Sequence, residues 1–203
     1  MINDVTVFNI REYLSVRDDK VLGEEELCKL LSEFSCEKNS DVERFLKERS
    51  IEFTKKNQSV TYLVFANEDA ALVGYFTITI KPITVNADSF SNTMKRKIAK
   101  VSELDEANDT YTLSAYLIAQ LGKNFTNGAN ERITGEQLLQ AAVDTIKELQ
   151  YMAGGMVLFL EAENEEKLVQ FYEDKNGFKR FDTKEIKTDT EDARTLIQFL
   201  KIL

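Results

Sequence analysis

The feature that most constrains this chain is a change of apolar period in its C-terminal half. From Thr134 onward, Leu138, Leu139, Ala142, Val143, Ile146 and Leu149 fall on one helical stripe. Met152-Ala153-Gly154-Gly155 ends that helix, and Met156-Val157-Leu158-Phe159-Leu160 follows as an unbroken apolar run. Such a run is expected of a strand covered on both faces. Asn164 can cap a second helix with an acidic first turn (Glu165, Glu166), inward-facing Leu168, Phe171 and Tyr172, and a stop at Gly177. Two strands, around Phe178 to Ile186 and Thr195 to Leu203, complete the order, joined by the polar loop 187–193. Elements in this order bury their apolar faces as a sheet with helices packed on it.

The N-terminal half fits the same plan. Glu24 to Phe34 reads as a helix, with Leu27, Leu30, Leu31 and Phe34 at helical spacing. A second helix is predicted from Ser40, where Ser40-Asp41-Val42-Glu43 has capping-box form, to about Lys55. Val60 to Ala66 and Ala71 to Ile80 read as a hairpin across Asn67-Glu68-Asp69. Phe90 to Val101 holds a short basic helix (Lys95, Arg96, Lys97, Lys100), and a strand is expected from Thr110 to Leu121. The predicted class is α/β (α+β): a mixed, mostly antiparallel sheet with helices on both faces. One domain is expected over 1–203, with 1–33 an extension of it.

The composition excludes several chemistries. There is no histidine in 203 residues, so imidazole bases, Ser-His pairs and His-ligated metals are ruled out. Two cysteines, Cys28 and Cys36, are too few for a disulfide framework or a zinc site and read as buried apolar thiols. No metal is expected. No apolar run approaches a membrane span, and Met1-Ile2-Asn3-Asp4 lacks the basic start of a signal peptide, so a cytoplasmic setting is expected. The net charge of −9 disfavours broad binding to nucleic acid or an anionic membrane.

Two segments carry candidate chemistry. The first is the strand end Leu121-Gly122-Lys123, a polar loop, and the helix start Arg132-Ile133-Thr134-Gly135. A helix N-terminus offers unpaired N–H groups to an anion such as a pyrophosphate, and Arg132 adds a positive charge. The ordinary structural reading is that Thr134-Gly135-Glu136-Gln137 is only a capping box. The second segment is Phe171-Tyr172 followed by Asn176-Gly177-Phe178. Aromatic pairs on a helix are commonly core, yet a phenol with an ordinary pKa near 10 can protonate a leaving thiolate while neutral itself.

In order along the chain, these segments resemble the GNAT acetyltransferase superfamily, including its bacterial toxin-type members. The resemblance runs from Phe34-Ser35-Cys36 and Phe45-Leu46 through Val73-Gly74-Tyr75-Phe76 to Tyr172 and Gly177-Phe178. It implies acetyl-CoA as co-substrate between two splayed central strands, with pantetheine against Leu121, Gly122 and Lys123. It also implies pyrophosphate over Arg132, Ile133, Thr134 and Gly135, and Tyr172 as the acid. The chain departs from the family pattern where Asn130-x-x-Ile133-x-Gly135 lacks the first glycine, and where one extra residue separates Tyr172 from Gly177.

The activity so implied is acyl-CoA-dependent N-acyltransfer, here acetyl transfer to a primary amine by direct attack. Glu161 and Glu163 are weak candidates for the base, read as solvated loop carboxylates; ordered water is the alternative. Three other readings stay open: a non-catalytic acyl-CoA-binding or regulatory protein, a toxin-like enzyme acting on aminoacyl-tRNA, and an interaction protein docking through residues 1–33. The resemblance leaves a homodimer open. The acidic loop Thr188 to Asp192 reads as a hairpin tip that could also attract a cationic acceptor.

Overall fold

The structure, a computed structural model, describes residues 5–14, 23–187 and 193–203. The acidic stretch 188–192 lies outside the described residues. The elements are β1 (Val5–Asn9), α1 (Ile10–Leu14), α2 (Gly23–Ser32), α3 (Ser40–Glu48), α4 (Ser50–Lys55), β2 (Val60–Ala66), β3 (Leu72–Asn86) and α5 (Asn92–Ile98). They continue with β4 (Leu104–Asp105), β5 (Thr110–Lys123), α6 (Gly135–Ala153), β6 (Val157–Glu163), α7 (Glu166–Gln170), β7 (Lys179–Lys187) and β8 (Ala193–Ile202). The sheet has eight strands in the order β1-β2-β3-β5-β6-β8-β7, with β4 beside β5. The registered pairs β1–β2, β2–β3, β4–β5, β6–β8 and β7–β8 are all antiparallel. The mixed, mostly antiparallel α/β class expected from the sequence is the one observed.

The chain forms two compact units, and the long strands β3 and β5 run through both. Unit one takes the chain up to Thr79 with Ile118–Glu148; unit two takes Ile80–Leu117 with Leu149–Leu203. In unit one, α2 and α3 lay Leu27, Leu31 and Leu46 with Phe34 against Leu63 and Tyr75, all at 1 % exposure or less. The Tyr75 ring meets Phe34 edge-on at 5.2 Å, and its hydroxyl donates to the Val42 carbonyl at 2.5 Å, so the phenol end of this core is paired. In unit two, the alternate residues Leu158, Leu160, Ile197 and Phe199 of β6 and β8 are buried on one face of the sheet.

Several local readings are corrected. The cap of α3 is Asn39, whose side chain accepts from the Asp41 and Val42 N–H groups, and not Ser40. Glu43 reaches past the expected box to accept from Cys36 N at 2.8 Å. A break at Arg49 (φ −125°) divides the expected long helix into α3 and α4. The second hairpin strand runs on to Asn86, because Ile83 and Val85 still turn alternate side chains inward. Asn164 caps nothing: α7 starts after Glu165 without a side-chain cap. Cys36 is buried as expected, but Cys28 is exposed on α2.

Candidate active site

In unit one, the end of β5 is built where a side chain is missing and where a buried amide replaces sequence-local bonds. A Cβ at Gly122 would fall onto Val42 Cγ1, and a Cβ at Gly74 would stand 2.9 Å from the Gly122 carbonyl oxygen. The two glycines therefore let β3, β5 and α3 approach closely. Asn124 then fixes the exit. It is 5 % exposed, its Oδ1 accepts from Ser35 N (3.0 Å) and Thr126 N (3.1 Å), and its Nδ2 donates to Leu72 O (2.9 Å). Its own N–H donates to Val73 O at 2.9 Å, and Phe125 N donates to Ser35 O at 2.7 Å. The loop then turns through Asn127 and Gly128, both at positive φ (51° and 73°), in the short 3-10 segment Thr126–Glu131. Asn124 carries no local pattern that separates it from any loop asparagine, and sequence reasoning missed it.

The start of α6 is a reciprocal capping box. Thr134 N donates to Gln137 Oε1 (2.8 Å) and Gln137 N donates to Thr134 Oγ1 (3.1 Å), as the structural reading of Thr134-Gly135-Glu136-Gln137 required. The N–H groups of Gly135 and Glu136 lie outside that box and stay available to an anion. Arg132 is committed elsewhere. Its guanidinium meets both oxygens of Asp69 at 2.7 Å and Glu68 at 3.3 Å, and Asp69 is held below its ordinary carboxylate range by that contact. The positive charge expected to face a phosphate is thus already neutralised by the β2–β3 turn. Ile133 is 2 % exposed, so its side chain is core and only its backbone can serve a ligand. Leu121 and Lys123 are half-buried. Burial, and then the charge of Lys38, push the Lys123 ammonium below its ordinary pKa.

In unit two, α7 passes directly into a π-helical turn, Phe171–Lys175. This turn accommodates the extra residue that the sequence shows between Tyr172 and Gly177, as an i→i+5 turn must. Gly177 closes it at φ +67°, Phe178 N donates to Tyr172 O (3.0 Å), and the Asn176 amide donates to Phe171 O (2.7 Å). Tyr172 is packed in rings: Phe171 at 5.0 Å, Phe199 at 5.3 Å and Phe178 at 5.9 Å. It is 9 % exposed, and among the described residues its hydroxyl has no hydrogen-bond partner. Burial pushes its pKa up to about 12. The result is a neutral phenol whose ring is packed among aromatic side chains and whose O–H has no partner among the described residues.

Glu161 and Glu163 are strand residues of β6 and not loop carboxylates. Glu161 accepts from Lys184 (3.2 Å) and from the Gln198 amide (2.7 Å), and Glu163 pairs with Arg194 at 3.3 Å. Both are occupied, which argues against either as the base.

The fold is a mixed, mostly antiparallel α/β arrangement in which the β5 exit leads into α6 and β6 leads into α7, and it is shared with solved structures of bacterial toxins. AtaT in complex with acetyl-methionyl-tRNAfMet is similar over 95 % of this chain and 94 % of that one (TM-score 0.60, 16 % identity). A tyrosine-to-phenylalanine mutant of KacT is similar over 96 % and 95 % (TM-score 0.58, 16 % identity), and AtaTR bound with acetyl-CoA over 97 % and 94 % (TM-score 0.52, 16 % identity). At that identity the likeness is one of fold alone. The chain matches no protein-family model and no protein of curated function.

Proposed function

We propose that this chain transfers an acetyl group from acetyl-CoA to a primary amine. The observation that carries the proposal is end-to-end likeness to acetyltransferase-fold toxins, one of them bound with acetyl-CoA. The donor is assigned to unit one, with pantetheine along Leu121-Gly122-Lys123 and pyrophosphate at the N–H groups of Gly135 and Glu136. Arg132 orders the loop through Asp69 in place of touching phosphate. The setting is cytoplasmic, consistent with two free thiols.

The amine nitrogen attacks the thioester carbonyl carbon, and the C–S bond breaks as the amide forms. Tyr172 donates a hydrogen bond to the departing sulfur, and the proton that the new amide nitrogen sheds ends on the CoA thiolate. A thiol of pKa about 8.5 is a stronger acid than this phenol, so Tyr172 acts chiefly as a hydrogen-bond donor while charge builds on sulfur. Water takes the proton leaving the amine, since both β6 carboxylates are occupied.

The acceptor best supported is the amino group of an aminoacyl-tRNA, because one neighbour is complexed with acetyl-methionyl-tRNAfMet. This reverses the expectation drawn from the net charge of −9. Local charge governs RNA contact, and α5 carries Lys95, Arg96 and Lys97, of which Arg96 and Lys97 are exposed. Incubation with labelled acetyl-CoA and a panel of aminoacyl-tRNAs, free amino acids, polyamines and lysine peptides tests both parts. Label is expected in the tRNA fraction. Label in another acceptor alone overturns the tRNA assignment, and acetyl-CoA binding without transfer to anything selects the non-catalytic alternative.

A further inference from the structure

Within unit two, polar ties hold the turn that carries Tyr172. Glu173 accepts from Arg180 of β7 through its N–H (3.3 Å) and its guanidinium (2.9 Å). The Lys201 ammonium of β8 donates to the Asn176 carbonyl at 2.8 Å and stands 5.5 Å from the centre of the Phe178 ring. A third tie lies inside the turn: the Asn176 side-chain amide donates to the Phe171 carbonyl at 2.7 Å, while its backbone N–H donates to the Glu173 carbonyl. The amide spans five residues, the interval that a π-type bond closes, and it ends on the peptide that joins Phe171 to Tyr172. Tyr172 itself has only ring contacts, with Phe171, Phe178 and Phe199, and its hydroxyl has no partner among the described residues. Apolar contacts tolerate sliding because the attraction is non-directional, so the height of the phenol along the turn is set by the backbone bonds. The Arg180–Glu173 pair is open to water at its arginine and contributes little. Asn176 is half-buried and bonds directly beside Tyr172.

We infer that Asn176 is a positioning residue for Tyr172: its amide holds the extra residue of the turn in the π form, and so sets where the phenol O–H stands. This rests on the assignment of Tyr172 to acetyl transfer. Asn176 works through the Phe171 carbonyl and not by contact with substrate. Loss of the amide removes the side-chain bond across the five-residue interval, and a slip of one residue toward the ordinary helical interval rotates a side chain by about 100°. Neither a methyl group nor a carboxylate at position 176 can donate to that carbonyl. Alanine and aspartate therefore both break the tie, and aspartate does so without a change of size.

The test is a double-mutant cycle on the full chain: wild type, Asn176→Ala, Tyr172→Phe and the double variant, with Asn176→Asp beside them. Single-turnover transfer of labelled acetyl from acetyl-CoA to bulk aminoacyl-tRNA is the readout, with acetyl-CoA titration and melting curves as controls. Asn176→Ala and Asn176→Asp are each expected to slow transfer by about tenfold to a hundredfold, the cost of a misplaced group. Acetyl-CoA affinity should stay within about threefold of wild type. In the Tyr172→Phe background, Asn176→Ala should slow transfer by less than about twofold, because the hydroxyl it positions is gone. Transfer at the wild-type rate in both position-176 variants overturns the inference. So does an equal loss with and without the Tyr172 hydroxyl, which a general loosening of the turn produces. Loss of the cooperative melt in both variants overturns it as well, since Asn176 is then needed for folding and not for placement. A Tyr172→Phe protein as fast as wild type, or a wild type that transfers nothing, contradicts the underlying assignment and takes the inference with it. A full Tyr172 effect without an Asn176 effect contradicts only the inference.

Discussion

The exit of β5 and the turn around Tyr172 are the two regions assigned to chemistry, and they are built by different means. At the exit, position is set by hydrogen bonds and by the lack of a side chain: Asn124 makes three side-chain bonds, and Gly122 leaves room only for Val42. Around Tyr172 position is set by rings, with Phe171, Phe178 and Phe199 packed on the Tyr172 ring, and the hydroxyl has no hydrogen-bond partner among the described residues. A backbone that must lie alongside a ligand needs direction, which hydrogen bonds supply. A neutral phenol needs exclusion of water, which apolar packing supplies. The two regions should therefore fail differently.

The largest effect expected is from Phe199→Ala, which removes a fully buried ring beside Tyr172. A loss of about 3–5 kcal/mol in urea unfolding is expected, with acetyl transfer impaired and acetyl-CoA affinity in the surviving folded protein near wild type. A fall in affinity as large as the fall in turnover would erase the contrast. Gly122→Ala should act in the opposite sense. The new methyl must displace Val42, a strain of about 1–3 kcal/mol, and acetyl-CoA affinity should drop more than the rate at saturation. The smallest effect is on pH dependence. Tyr172 is held near 12 against an ordinary 10, so its contribution to stability is complete below pH 10 and is lost as the pH rises through 12. Alkaline unfolding curves of wild type and Tyr172→Phe should diverge only in that window, with the wild type losing stability faster. Parallel curves would mean that the phenol is not shielded.

Much of this was legible in sequence where the signal is local. The stripe of α6, the run of β6 and the hairpin β2–β3 follow from period alone, and the capping box of Thr134 and Gln137 was readable from four residues. The extra residue after Tyr172 was visible as a spacing anomaly, although its cause, a π turn, was not. What escaped depends on distant partners. Asn124 bonds to Ser35 and Leu72, which lie 89 and 52 residues away. Asn39 took the α3 cap from Ser40, with Glu43 turned toward Cys36. Arg132 read as a free cation because its partner Asp69 lies 63 residues earlier, in a turn. Long-range polar pairs leave no period in a sequence, so the fold was easier to read than the charges at its site.

The account turns on the Tyr172 hydroxyl. Tyr172→Phe keeps every ring contact and removes one oxygen that has no described partner, so a single-turnover measurement of acetyl transfer, paired with acetyl-CoA titration, isolates that O–H. The rate is expected to fall about 10²–10⁴-fold, with acetyl-CoA affinity and the melting temperature at neutral pH essentially unchanged. A Tyr172→Phe protein that transfers acetyl groups at the wild-type rate contradicts the account.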